Sequence, residues 1–286
     1  MVKLKTDPIG VEDLEQYLAE ASDFAFELQI LRLLSEKGVP CEHSGLYQDP
    51  TTKKFREFDI RFRVTRGAIT LAAAVECKAI GEHFPLLVSC VPRSPSEAYH
   101  EALFYERATE EPEKRLSFPM LNFLEAPPNI RRTDSRLYPA NEPVGKSTAQ
   151  VGRREGKDNE LHANDAELFE KWTQALQSLD DLVHEIGDRD YVESIWNGEA
   201  HAALALPIVV VPDGRLWSVR YDNEGQREGG PSQVERVSIY IGRAYDNLAP
   251  TGSLNVSHLE IMTESGLRQF HDHHLRDKDS MLSLVR

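Results

Sequence analysis

Residues 68–79 read Ala-Ile-Thr-Leu-Ala-Ala-Ala-Val-Glu-Cys-Lys-Ala, a nearly continuous apolar run that closes on charged residues. A strand with one wet face alternates polar and apolar side chains. A run without alternation belongs to a strand covered on both faces. The preceding segment does alternate: Phe58, Ile60, Phe62 and Val64 fall on one face, and Asp59, Arg61 and Arg63 on the other. Thr65-Arg66-Gly67 turns the chain between the two. This strand–turn–strand requires a sheet with layers packed on both sides, and the expected class is α/β.

The rest of the chain can supply those layers. Its 286 residues are enough to bury a full core without staples. With 40% hydrophobic and 28% charged residues it is neither disordered, collagen-like nor a disulfide scaffold. Cys41, Cys77 and Cys90 lack the CxxC spacing of zinc sites and fit a reducing compartment. The first residues contain no apolar signal-peptide core, and the longest apolar run, 202–211, contains Pro207 and is too short to span a bilayer. A soluble cytoplasmic chain forming one domain over 1–286 is expected.

Periodicity places a helix over 11–37, broken near Ala21-Ser22, with Asp23 capping its second part and Gly38 stopping it. Strands are expected at 40–47, 56–66, 68–79, 84–91, 206–211, 215–221 and 234–241, and a helix at 95–107. The stretch 108–163 carries six prolines with little periodicity and reads as an insertion or long loop. Residues 165–187 form an amphipathic helix with Phe169, Trp172, Leu176, Leu179, Val183 and Ile186 on one stripe. A short helix is expected near 264–275.

Net charge is −14, which argues against a general polyanion binder. The total hides two basic segments, however. Residues 51–66 hold six bases and two acids, and 127–157 seven bases and three acids. Residues 7–36 and 158–193 are strongly acidic. If the chain holds a polyanion, the basic segments should line one cleft and the acidic ones should face away.

The chemistry is concentrated in Asp59 and in Val75-Glu76-Cys77-Lys78. The tight turn brings Asp59 beside the later strand, and Glu76 and Lys78, two apart, project from one face. A buried carboxylate pair repels unless it is paired or binds a cation, and hard oxygen ligands suit Mg²⁺ or Mn²⁺. A lysine adds a compact charge able to position water or stabilise a phosphorane-like transition state. On the first helix, Glu27 falls inside the apolar arc between Ile30, Leu31 and Leu34, with the metal site or a buried Arg or backbone amide as its partner. An ordinary ion pair between Glu76 and Lys78 is the plain alternative for that strand end. Arg61, Arg63 and Arg93 are candidate phosphate contacts, or plain salt bridges.

An inward Glu on a helix, a strand bearing Asp and a strand ending Glu-x-Lys together resemble the PD-(D/E)xK, restriction-endonuclease-like nuclease superfamily. The resemblance covers roughly residues 22–92, although Phe58 stands where the motif has Pro. It implies a restriction-endonuclease-like core, with a central mixed β-sheet flanked by helices and an irregular insertion. It also implies Asp59 and Glu76 as Mg²⁺ ligands, Glu27 as an auxiliary ligand and Lys78 as the water-positioning cation. The expected reaction is metal-dependent phosphodiester hydrolysis, in DNA ahead of RNA. The alternative is a catalytically silent nuclease-like module that binds nucleic acid or a protein partner. Homodimerisation stays open.

Three weaker signals are set aside. Residues 140–147 match a loose phosphate-loop pattern, but no buried strand precedes them and no helix follows. Lys146 there is better read as part of a basic loop reaching nucleic acid. The cluster His271, Asp272, His273 and His274 reads as a solvated helix face, and Cys77 as a small buried hydrophobe on the sheet face opposite Glu76.

Overall fold

The computed structural model describes residues 6–20, 22–106, 129–133, 136–154, 160–188, 191, 194, 200–248 and 252–285. Helix α1 (Val11–Glu20) and α2 (Phe24–Glu36) precede a meander of β1 (Cys41–Gln48), β2 (Phe55–Arg66) and β3 (Ile69–Cys77). Then come β4 (Leu86–Pro92), β5 (His100–Glu106), β6 (Asn129–Thr133), β7 (Pro143–Arg153) and β8 (Leu161–Asn164). Helix α3 (Ala166–Gly187) leads to β9 (Ala200–Val211), β10 (Leu216–Tyr221), β11 (Arg227–Gln233), β12 (Arg236–Leu248) and β13 (Gly252–Thr263). The chain closes with α4 (Glu264–Phe270), a π-helical turn (His271–Leu275) and α5 (Lys278–Leu282).

The fold is α/β, a large mixed sheet flanked by a few helices. Its spine runs β1-β2-β3-β9-β13-β12-β7-β4-β10-β11, with β5 and β6 branching from β9 and β8 from β7. β1–β2–β3 are antiparallel, whereas β9 runs parallel to β3, and β13 parallel to β9. Every residue of β3 is buried, as its unbroken apolar run requires.

Each face of that spine has its own helices. On one face α2 sets Phe26, Ile30, Leu33 and Leu34 against Ile60, Phe62 and Val64 of β2 and Ala73, Val75 and Cys77 of β3, joined by Leu267 and Phe270 of α4. On the other, α3 buries Leu179, Leu182, Val183 and Ile186 against Ala72 and Ala74, and Leu168 and Ala175 against Val209 and Ile261. Each fully buried aliphatic side chain contributes roughly 1.5–3 kcal/mol, so these rows fix where α3 lies. Phe169, expected on the buried stripe, is instead 61% exposed, and Leu168 takes its place.

Several segments differ from the sequence reading. Residues 100–106, expected in a helix, form β5, because the edge of β9 at residues 200–203 is open to pair with them. Sheet context overrides the helix-forming residues of His-Glu-Ala-Leu-Phe-Tyr-Glu. The stretch taken as an insertion or long loop supplies β6, β7 and β8, and β7 joins β12 to β4 within the spine. Gly145 sits at that junction, where a Cβ would come within 2.8 Å of Val88 and 2.9 Å of Ile239. This glycine serves close strand packing rather than phosphate binding, and Lys146 lies on a strand, not a loop. Residues 107–128 lie outside the described residues. No described helix is long and apolar enough to cross a membrane.

Candidate functional site

The β2–β3 ladder pairs Ile60 with Val75, which leaves Asp59 and Glu76 adjacent at its end. Alternation sends Glu76 to the α3 face, in step with Ala72 and Ala74, and sends Cys77 into the core on the α2 face. The backbone of the same strand end helps fix Asp59: the Cys77 N–H donates to Asp59 Oδ2 at 2.7 Å. Sequence reasoning brought these two carboxylates together correctly.

A residue it missed lies between them. Lys171 of α3 extends its Nζ to 2.8 Å from Asp59 Oδ2, 3.6 Å from Glu76 Oε2 and 3.9 Å from Asp23 Oδ2. Lys171 follows Leu168 by three residues and precedes Ala175 by four, so it shares the buried stripe of its helix. A lysine at that wheel position was the available signal. Burial alone would lower its pKa, but the charges of Asp59 and Glu76 outweigh burial and raise it, so Lys171 is an ammonium.

Glu76 is the anomaly of the site. It is 0% exposed, no side-chain donor reaches its oxygens at hydrogen-bond distance, and its close neighbours are Asp59 and, 3.6 Å away, the Lys171 ammonium. Burial first, and the charge of Asp59 second, push its pKa well above the ordinary carboxylate range. Native proteins rarely leave a buried carboxylate without a donor, because its full desolvation cost then goes unrecovered.

Lys78, expected to face this pair, stands at the edge of the same cluster and pairs with other carboxylates. Its Nζ lies 3.4 Å from Asp23 Oδ2 and 3.0 Å from Glu167 Oε2. Asp23 stands at the N-cap position of α2 but makes no capping bond. It accepts instead from the Ala79 N–H at 2.8 Å, tying α2 to the end of β3. Glu27 does turn inward. It lies 3.6 Å from His43 Nε2, and its pKa is raised by burial and then by Asp59, offset in part by Lys171 and His43. Five carboxylates (Asp23, Glu27, Asp59, Glu76 and Glu167) thus surround two ammonium groups.

The arginines named from the sequence are occupied in other ways. Arg61 shares the face of Asp59 but is buried under α3, where it donates to the Ser178 carbonyl and pairs with Asp181 at 3.3 Å. Its guanidinium lies 4.2 Å from the Phe58 ring centroid. Arg63 pairs with Glu42 at 2.5 Å and with Glu185 of α3. Asp181 and Glu185 of the acidic helix α3 therefore pack over the basic strand and pair with Arg61 and Arg63 instead of facing away. Lys146 is taken by Glu97 at 2.5 Å and the Tyr240 ring. Arg93 is buried, donates to the Pro139 carbonyl at 2.9 Å and stacks on Tyr138.

Arg93 belongs to a second buried charge cluster. Glu260 of β13, also 0% exposed, accepts from Arg236 Nε at 2.6 Å and Nη2 at 3.0 Å. Tyr138 stacks 3.7 Å from His258 beside it. Burial and the nearby Arg93 hold His258 down at about 3, so it is neutral.

Among the described residues, no three His, Cys, Asp or Glu side chains are arranged to hold a metal ion together. Mg²⁺, however, is usually held by one or two carboxylates with water and substrate phosphate. Asp59 and the orphaned Glu76 fit that donor set. Comparison with protein-family models, with curated proteins and with solved structures finds no match for the chain.

Proposed function

We propose that Asp59 and Glu76 form the centre of a divalent-cation-dependent phosphodiesterase, a nuclease acting on DNA, within a restriction-endonuclease-like core made of α2, β1–β3, α3 and β9. The observation that carries this reading is Glu76, a fully buried carboxylate that no side-chain donor reaches at hydrogen-bond distance, set beside a second carboxylate. A core built for stability alone would replace it with an apolar residue or give it an arginine. The order helix, antiparallel meander, helix and a strand parallel to β3 supports the architectural part of the proposal.

Asp59 and Glu76 would hold the ion, while Glu27, which pairs with His43, would add negative charge nearby without ligating it. The bound ion would supply charge stabilisation at a phosphate oxygen and a water acidic enough to be deprotonated near neutral pH. The rest falls to the chain. The Cys77 N–H fixes the rotamer of Asp59. Asp23 holds Lys78 beside the site, where its side chain, 13% exposed, can reach an incoming phosphate once Glu167 releases it. Glu167 is 66% exposed, and so weak a surface pair exchanges readily.

The second reading, a nuclease-like module that binds nucleic acid or a protein without cutting it, is favoured by one observation. Arg61 and Arg63, the expected phosphate contacts, are spent on α3. Incubating the purified chain with plasmid and linear DNA in Mg²⁺, Mn²⁺ or EDTA decides between them. Cleavage that needs the cation supports the enzyme, and intact DNA in every condition favours the silent module.

A further inference from the structure

The ammonium nearest the carboxylate pair comes from α3, not from the Glu-x-Lys strand. We infer that Lys171 is a built-in counter-ion: it holds Asp59 and Glu76 together in the resting protein, and a divalent cation displaces it toward Asp23. This rests on the reading of Asp59 and Glu76 as cation ligands.

Three observations carry it. First, the ammonium bonds Asp59 at 2.8 Å but stands 3.6 Å from Glu76, beyond hydrogen-bond distance, so Lys171 compensates the pair incompletely. Second, a receiving group is already in place: Asp23 Oδ2, which also holds Lys78 at 3.4 Å, lies 3.9 Å from the same ammonium, and the Lys four-carbon stem is flexible. Third, the surrounding charge is unbalanced, with five carboxylates around Lys78 and Lys171, so the cluster can take a divalent cation without expelling either lysine from its neighbourhood. An ammonium and a divalent cation cannot share the space between two carboxylates, since like charges a few ångströms apart in a dry site repel strongly. Metal loading must therefore work against Lys171. In return, the carboxylates stay ordered when no metal is bound. Glu167, one turn before Lys171, holds Lys78, so the opening turns of α3 carry both contacts that loading would loosen.

The test is Mn²⁺ binding to the full chain at pH 8, followed by electron paramagnetic resonance, for wild type, Lys171→Met and Lys171→Arg. Removing the competing charge should tighten Mn²⁺ binding about tenfold or more in Lys171→Met, while Lys171→Arg stays within about threefold of wild type. Affinity unchanged or weakened in Lys171→Met overturns the counter-ion role and leaves the cation site standing. Absence of Mn²⁺ binding in all three proteins overturns the cation reading itself, and this inference with it. A measurement on wild type alone guards against a variant that does not fold. On Mg²⁺ titration, the Lys171 side-chain ¹⁵N resonance should shift and its ammonium protons exchange faster with water. A resonance that stays fixed while Mg²⁺ binds would overturn the displacement.

Discussion

Glu76 and Glu260 are both fully buried glutamates near the centre of the same sheet. Val75, Ile208 and Glu260 line up across β3, β9 and β13, so the two carboxylates lie one residue out of register and project to opposite faces. Their surroundings are opposite too. Glu260 receives two hydrogen bonds from Arg236; burial would raise its pKa, but Arg236 outweighs burial and lowers it. Glu76 has no cation at hydrogen-bond distance: Lys171 stays 3.6 Å away, and burial with the charge of Asp59 raises the Glu76 pKa. The same sheet thus builds one carboxylate into a closed structural pair and leaves the other unsatisfied beside Asp59. A chain that satisfies Glu260 this completely has the means to satisfy Glu76. This difference is the reason the proposed cation site is placed on the α3 face.

The contrast can be broken at either glutamate. On the Asp59 side the largest effect is on chemistry: Asp59→Ala and Glu76→Ala should each lower single-turnover DNA cleavage on the order of 10³-fold, with the circular dichroism spectrum unchanged. On the Glu260 side the effect is on folding. Arg236→Met strands a buried charge and should cost about 3–5 kcal/mol in urea unfolding, with no role in cleavage beyond lost protein.

Glu76→Gln should do the reverse and stabilise the metal-free protein by about 1–2 kcal/mol at neutral pH, by removing a buried carboxylate that Lys171 compensates only in part. The pH dependence follows from the direction of the shift. Glu76 titrates at about 4.5 when unfolded and higher when folded. Its protonated form is therefore favoured by folding, and wild type loses stability relative to Glu76→Gln as pH rises through the folded value. Below the unfolded value the two proteins should converge. A stability gap that widens toward acid in urea titrations would contradict this. The smallest effect belongs to Lys146→Ala, which removes a half-exposed pair with Glu97 away from Asp59. Cleavage should stay within about twofold of wild type, and stability within about 1 kcal/mol.

The β2–β3 hairpin was legible because its two periodicities, alternating and then unbroken, have one joint solution. With it came the pairing of Asp59 and Glu76 and the outward turn of Cys77 into the opposite core. Glu27 was legible from its helical wheel. Lys171 was not, because its place depends on α3 crossing β3, a tertiary contact between segments nearly a hundred residues apart. The same contact hid the fate of Arg61 and Arg63. Their basic strand looked free to meet phosphate until the acidic helix was laid over it. β7 and β11 were missed for a local reason. Pro143, Gly145 and Gly152 in one, and Arg-Glu-Gly-Gly-Pro-Ser-Gln in the other, carry turn residues where strands usually carry branched ones. In β7 the glycine is demanded by packing at the β4–β12 junction, which no local rule registers.

Whether Glu76 is kept open for a cation is read from thermal melting of wild type and Glu76→Gln with and without Mg²⁺. Wild type should melt several degrees higher in Mg²⁺, since a ligand at about a hundred times its dissociation constant adds about 2.7 kcal/mol. Glu76→Gln should melt higher than wild type in EDTA and gain little from Mg²⁺. Equal melting of the two proteins in EDTA, together with no response of wild type to Mg²⁺, would contradict the account.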